Sequence, residues 1–219
     1  MITLTTIPSG SESANQLIAK WAIAEDHAQA ELRQSETRRH DFLLTRSALR
    51  ALLHYTTGVS AWHIRPDSAG KPYATSLTGK SGPHISLSHT KGLVACAISQ
   101  EAPIGIDVEY WRTRDFTALA NYAFSLQERE QVARDGKPAF YRIWTLKEAM
   151  AKATGTGILA TVKKEAYAVD TQVDGFKETA TWQLYCTMPT PNYSLAIATK
   201  GQSPWSEKSL ACLNAVIEN

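Results

Sequence analysis

An Asp and a Glu two residues apart in an otherwise apolar run, Ile104-Gly105-Ile106-Asp107-Val108-Glu109, are the side chains of this sequence best suited to chemistry. Read as a strand, the run sends Ile104, Ile106 and Val108 to one face and Gly105, Asp107 and Glu109 to the other. Two carboxylates on one strand face repel each other unless a hard cation such as Mg²⁺ relieves them. Gly105 leaves room beside them for a ligand to approach. An edge strand with a solvated polar face would look the same, and for an isolated Asp-x-Glu that is the commoner case.

A second constellation lies between Phe140 and Lys152. On a helix, Trp144, Lys147, Glu148, Ala151 and Lys152 recur at i, i+3, i+4, i+7 and i+8 and form one stripe. Glu148 and Lys152 alone make an ordinary surface pair, but a tryptophan on the same stripe points to a partly buried polar site. Ser88 and His89 stand where a strand runs into a turn, a place where side chains meet ligands. Neighbours on a strand diverge, so they are no catalytic dyad, and no Gly-x-Ser-x-Gly elbow supports a serine hydrolase. Lys71, in the rigid turn Gly70-Lys71-Pro72, either reaches a phosphate or belongs to a plain turn. Arg39, Arg46 and Arg50, spaced by seven and four, share a helix face that is either solvated or phosphate-binding. There is no Walker A loop, no Gly-x-Gly-x-x-Gly and no His-Glu-x-x-His.

The elements that must position these residues follow from periodicity. Ser11–Ala30 reads as helix, weakly broken, and the first third of the chain as helical throughout. From Glu36 to Tyr55, Phe42, Leu49, Leu52 and Leu53 recur at helical spacing, with Gly58 as the stop. His84–Ser88 and Leu93–Ser99 read as strands joined by a turn at His89–Gly92, and Ile104–Tyr110 as a third. Ala118 to Lys152 is helical, interrupted at Asp135-Gly136-Lys137-Pro138. Ala166–Asp170, Thr181–Met188 and Tyr193–Thr199 return to strand. The order helix, strands, helix, strands suggests an α+β fold of two similar units, 1–102 and 103–219.

Composition narrows the function classes. With 219 residues, 43% hydrophobic and 20% charged, the chain can bury a sizeable core, and it is neither disordered nor of low complexity. A net charge of +2 argues against nucleic acid as a partner. No apolar run approaches the roughly 20 residues of a membrane span, and no signal peptide is read at the N-terminus. Three scattered cysteines, Cys96, Cys186 and Cys212, fit reduced thiols rather than zinc or disulfides. The expectation is a cytoplasmic protein.

Taken in order, Gly70-Lys71-Pro72, Ile85-Ser86-Leu87-Ser88-His89, Ile104–Glu109 and Trp144-Thr145-Leu146-Lys147-Glu148 with Lys152 resemble the 4′-phosphopantetheinyl transferase superfamily, over about Arg38 to Gly157. The length is similar to its surfactin-type branch. That resemblance implies a monomer of two α/β subdomains related by a pseudo-two-fold, with the active site in the cleft between them. It implies transfer of the 4′-phosphopantetheine arm of coenzyme A to a serine hydroxyl of an apo acyl or peptidyl carrier protein, with release of adenosine 3′,5′-bisphosphate. It implies Mg²⁺, or Mn²⁺ in its place, held by Asp107, Glu109 and Glu148, with Lys152 on the coenzyme A pyrophosphate. Arg38, Lys71, Ser88 and His89 look like the coenzyme A pocket, Arg39 being the alternative to Arg38. Phe124-Ser125-Leu126-Gln127-Glu128 resembles a family segment that makes Glu128 the candidate general base, with Glu148 as rival. The competing readings are a catalytically silent coenzyme A or carrier-protein binding module, and another Mg²⁺-dependent phosphotransferase using the same carboxylates.

Overall fold

The computed structural model describes residues 2–156, 175–178, 181–201 and 211–212. The chain divides into two compact units, Met1–Glu101 with Pro204–Asn219, and Ala102–Ser203.

The first unit opens on a strand, β1 (Ile2–Pro8), which the sequence reading placed in helical territory. Its Thr and Ile residues have strong strand preference, and residues 2–5 are buried on both faces, so they show no polar-apolar alternation. Two short helices follow, α1 (Glu12–Trp21), capped by the Ser11 hydroxyl accepting from the Ala14 N–H, and α2 (Ala24–Glu31). The long α3 (Glu36–Thr57) begins at Ser35, whose hydroxyl accepts from Arg38 N–H, and stops at Gly58, whose φ of 71° only glycine adopts freely. The hairpin β2 (Trp62–Pro66) and β3 (Pro72–Ser76) leads to β4 (His84–Thr90) and β5 (Leu93–Ser99), joined by a two-residue turn at Lys91-Gly92. Leu44, Leu49, Leu52 and Leu53 of α3 bury themselves with Ile85, Val94, Cys96 and Ile98. Each such leucine is worth about 1.5–3 kcal/mol.

The second unit opens on β6 (Ile104–Tyr110). Then come α4 (Phe116–Ala123), capped by Asp115, and α5 (Leu126–Thr154). Gly136, at φ 71° and ψ −147°, breaks α5 into two arms, as the Asp135–Pro138 interruption foretold, and Pro138 falls in the first turn of the second arm. β7 (Gly175–Glu178), β8 (Trp182–Thr187) and β9 (Tyr193–Lys200) complete it. The expected strand at Ala166–Asp170 lies outside the described residues.

The two main sheets run β10-β1-β5-β4 and β6-β9-β8-β7, with β10 at Ala211–Cys212. In each, the opening strand lies antiparallel to the last strand of a closing hairpin, β1 to β5 and β6 to β9. The long helix of each unit packs on that pair. The division differs from the expected 1–102 and 103–219 at the chain's end: β10 pairs in parallel with β1 and so belongs to the first sheet.

Candidate active site

Antiparallel partners directly opposite each other share a sheet face. Gly105 opposes Ala198 and Asp107 opposes Ala196. These small side chains leave a shallow floor on which the second arm of α5 lies, Ala149 and Ala153 meeting Ala196 and Ala198 in one apolar cluster. A Cβ on Gly105 would stand 1.9 Å from the Ala149 carbonyl oxygen and 2.6 Å from the Ala153 nitrogen. The room expected there for a ligand is therefore room for a helix backbone.

That close approach brings the acidic residues together. Asp107 is buried, and its Oδ1 accepts from Lys152 Nζ at 2.8 Å. Lys152 therefore pairs with Asp107 across the helix–sheet seam. Glu148, one turn earlier on α5, feels the same carboxylate: burial first, then Asp107 and Glu109, push its pKa from 4.5 to about 7, with Lys152 pulling down. Glu109 is also raised, by burial and then Asp107, while Arg114, the Trp144 indole and Arg112 act the other way. Asp107 thus raises the proton affinity of both Glu109 and Glu148, and Glu109 that of Glu148, which marks a pocket of excess negative potential. The oxygen-only donor set suits a divalent ion that keeps most of its waters and takes one or two carboxylates. Among the described residues no three acidic, histidine or cysteine side chains close on a common point.

The raised carboxyl has a consequence for stability. Between about pH 4.5 and 7 Glu148 binds more protons in the fold than in the unfolded chain. The fold therefore loses stability as pH rises through that window, and the loss is complete above it. Discounted for partial exposure, this is about 1–2 kcal/mol. Glu148→Gln is expected to melt roughly 3 °C above the native protein at pH 8 in metal-free buffer and level with it at pH 4. Equal melting points at pH 8 would contradict the carboxylate coupling.

Glu128 does not fit the role of base. Its side chain and that of Lys147 have 0% exposure; Oε1 lies 3.0 Å from Lys147 Nζ and Oε2 accepts from the Ser125 N–H at 2.8 Å. Both oxygens are engaged and neither meets solvent, so an incoming hydroxyl has no access to them. Glu128 lies in the first arm of α5 and Lys147 in the second, and the pair ties the arms across the break at Gly136. Trp144 turns from the polar stripe into an aromatic group, its ring 5.9 Å from Phe140 and 6.5 Å from Phe124. The stripe thus splits: Trp144 packs among the aromatic rings with its indole acting on Glu109, Lys147 pairs with Glu128, and Glu148 and Lys152 face Asp107. Arg114, which sequence reading passed over, has its guanidinium carbon 5.2–5.7 Å from the rings of Phe140, Tyr141 and Trp144.

The first unit holds a separate cationic cavity of about 420 Å³, with Arg38, Gly70, Pro72 and His89 on its wall. Arg33, Phe42 and Arg46 line it too. Arg38, Phe42 and Arg46 stand at i, i+4 and i+8 on α3, so their shared face was legible in the spacing; Arg33, in the α2–α3 link, carried no periodic signal. Lys71 is half-buried between two lining residues, and burial lowers its pKa while Asp67 raises it. The Asp67 carboxylate shapes this turn by accepting from the Ala69 and Lys71 N–H groups at 2.8 and 2.9 Å. Ser88 and His89 alternate along β4: His89 faces the cavity, and Ser88 is buried on the opposite face.

The expected arginine face does not act as one. Arg50 turns inward to pair with both oxygens of the buried Asp26 and donates to the Trp62 carbonyl at 2.9 Å. A buried carboxylate demands such a partner. Arg39 donates to the Arg33 carbonyl at 3.2 Å and lies 3.8 Å from Glu31, so of the two candidates Arg38 is the one on the cavity wall. Cys96 and Cys186 are buried, and burial pushes the Cys96 thiol up to about 12, which makes it inert. No helix of the described residues is long and apolar enough to cross a membrane.

The model of the 4′-phosphopantetheinyl transferase superfamily matches residues 103–198, the stretch that carries Asp107, Glu109, Glu128, Glu148 and Lys152. The chain is 32% identical over 197 residues to the 4′-phosphopantetheinyl transferase HetI of Nostoc sp. strain PCC 7120, covering 87% of this chain and 83% of that one. It is 31% identical over 122 residues to the 4′-phosphopantetheinyl transferase psf-1 of Bacillus pumilus, covering 53% and 50%. Over 76 residues it is 40% identical to the 4′-phosphopantetheinyl transferase AcpT of Salmonella typhi, covering 32% and 40%.

Proposed function

Because this chain belongs to the 4′-phosphopantetheinyl transferase superfamily, we propose that it transfers the 4′-phosphopantetheine arm of coenzyme A to a serine of an apo acyl or peptidyl carrier protein, releasing adenosine 3′,5′-bisphosphate. The observation that carries the detail is the meeting of Glu148 and Lys152 of α5 with Asp107 of β6 inside the matched stretch.

In this reading the serine oxygen bonds to the β-phosphorus, the P–O bond to the α-phosphate breaks, and the serine proton passes to a base. One or two of the carboxylates Asp107, Glu109 and Glu148, together with waters, would hold a Mg²⁺, which when bound supplies positive charge to pyrophosphate oxygens. Glu148 takes the serine proton, directly or through a water, since Glu128 is sealed in its ion pair. Lys152 leaves Asp107 for the pyrophosphate and offsets the charge on the departing bisphosphate. Arg38, Lys71 and His89 take the nucleotide phosphates. Ser88, on the other face of β4, supports the strand that presents His89.

The length and the matching strand orders support the surfactin-type branch, a duplicated α+β unit working as a monomer in the cytoplasm. Lys152→Ala is expected to lower kcat/KM for coenzyme A about 10²-fold with melting temperature little changed. An unchanged kcat/KM would make Lys152 only the partner of Asp107. The reaction itself is tested by chromatography of the nucleotide product. Adenosine 3′,5′-bisphosphate should accumulate only when an apo carrier is present, and accumulation without any carrier would point to another phosphotransferase.

A further inference from the structure

Asp107 and Glu109 lie on a stretch of chain that is fastened to α5 on both sides of them. Before them is Gly105, against the backbone of Ala149 and Ala153. After them is Tyr141, a fully buried residue of α5 that the steps above do not use. Its hydroxyl accepts from the Arg112 N–H at 2.8 Å and donates to the Arg112 carbonyl at 3.1 Å. One side-chain oxygen thus serves both backbone groups of a residue just past the end of β6. Trp111 is held from the side of β9. Its N–H donates to the Asn192 carbonyl at 2.8 Å, and its indole Nε1 donates to Ser194 Oγ at 2.9 Å. Ser194 stands opposite Glu109 in the β6–β9 ladder. The Trp111 and Tyr141 rings stack, 6.1 Å apart and 12° from parallel, and the Arg114 guanidinium carbon lies 5.2 Å from the Tyr141 ring. Residues 112–115 are exposed, so water could serve their backbone groups. The buried hydroxyl therefore fixes this loop in place instead of rescuing stranded polar atoms.

We propose that Tyr141 is a positioning residue whose hydroxyl holds the exit of β6 against α5 and so keeps Glu109 within reach of a divalent ion shared with Asp107 or Glu148. This rests on the metal reading above. A small hard cation demands near-ideal ligand geometry, and the groups that orient its ligands are worth 10–100-fold in metal affinity. Gly105 anchors the Asp107 end of the segment through backbone contact, and Tyr141 anchors the Glu109 end through two hydrogen bonds. Without the hydroxyl the ring still packs, but the Arg112 peptide can turn to water, and Glu109, three residues earlier, loses its fixed end.

The test is calorimetric titration of the full-length protein with Mn²⁺, well below the melting temperature and with coenzyme A saturating. Tyr141→Phe, which keeps the ring, should weaken Mn²⁺ binding about tenfold. Its affinity for coenzyme A, measured without metal, should match the native protein's. Ser194→Ala, which removes the indole tie of Trp111, should weaken Mn²⁺ in the same direction by a smaller factor. Native Mn²⁺ affinity in Tyr141→Phe, with only the melting temperature lowered, would make the hydroxyl a structural contact and overturn the proposal. Equal losses for Mn²⁺ and coenzyme A would overturn it too. If Tyr141→Phe does not fold, native Mn²⁺ affinity in Ser194→Ala overturns it just as well. A native protein that binds no Mn²⁺ contradicts the metal reading and this proposal together, whereas Mn²⁺ binding that neither variant changes removes this proposal alone.

Discussion

Asp107→Ala is expected to lower kcat/KM for phosphopantetheine transfer roughly 10³-fold while leaving the protein folded. Asp107 acts on the lysine and on both of the other carboxyls of the second unit's site. Its Oδ1 holds Lys152 at 2.8 Å, and its charge raises the pKa of both Glu109 and Glu148. Removing it should take away a proposed metal ligand and the anchor of the pyrophosphate lysine together. The fold should tolerate the change because two effects oppose each other. The Asp107–Lys152 pair is lost, but so is the repulsion that Glu109 and Glu148 suffer from the same carboxylate. A melting temperature within a few degrees of native, with activity gone, is the expected pairing. Near-normal rates in Mg²⁺ buffer would remove Asp107 from the metal site, and unfolding would make it a structural residue.

Gly105→Ala should be far more damaging to the fold than its size suggests, by about 4 kcal/mol or more. The added carbon would meet the Ala149 carbonyl oxygen at 1.9 Å and the Ala153 nitrogen at 2.6 Å, and both are helix backbone atoms that no side-chain rotation can move. Only a shift of α5 away from β6 relieves the clash, and that shift would carry Glu148 and Lys152 from Asp107. The variant should therefore lose the cooperative unfolding of the second unit, or lose activity even where it folds. Circular dichroism melting checks the first and the transfer assay the second. A protein of native stability and rate would show that α5 does not lie against Gly105.

Much of this was legible in sequence because several segments obey a single local rule. β6 was readable from alternation around Asp107, α3 from leucine spacing and its glycine stop, and the break in α5 from Gly136 and Pro138. β1 escaped because it is buried on both faces. The return of β10 to β1 could not be read, since a two-residue strand has no period and long-range pairing leaves no local mark. The reading of Gly105 as ligand space went astray for a related reason. A glycine announces close approach but does not say whether a ligand or a helix approaches.

The same distinction runs through the site residues. Residue type and spacing brought out Asp107, Glu109, Glu148 and Lys152, and the structure places Lys152 and Glu148 against Asp107. Spacing could not tell which charges are spent on the fold. Glu128 is consumed by Lys147 and the Ser125 N–H, and Arg50 by Asp26, partners 19 and 24 residues away in sequence. Arg33 was missed because the link between α2 and α3 has no sequence period, whereas Arg38, Phe42 and Arg46 share a helix face that their spacing shows.

The central claim is that this chain transfers phosphopantetheine to a carrier protein, and intact-mass spectrometry of that carrier tests it most directly. A purified apo acyl or peptidyl carrier protein would be incubated with this protein, coenzyme A and Mg²⁺, with an EDTA control. The account predicts a gain of one phosphopantetheine that is lost in EDTA. No gain across carriers of several types, with this protein shown to be folded, would contradict it.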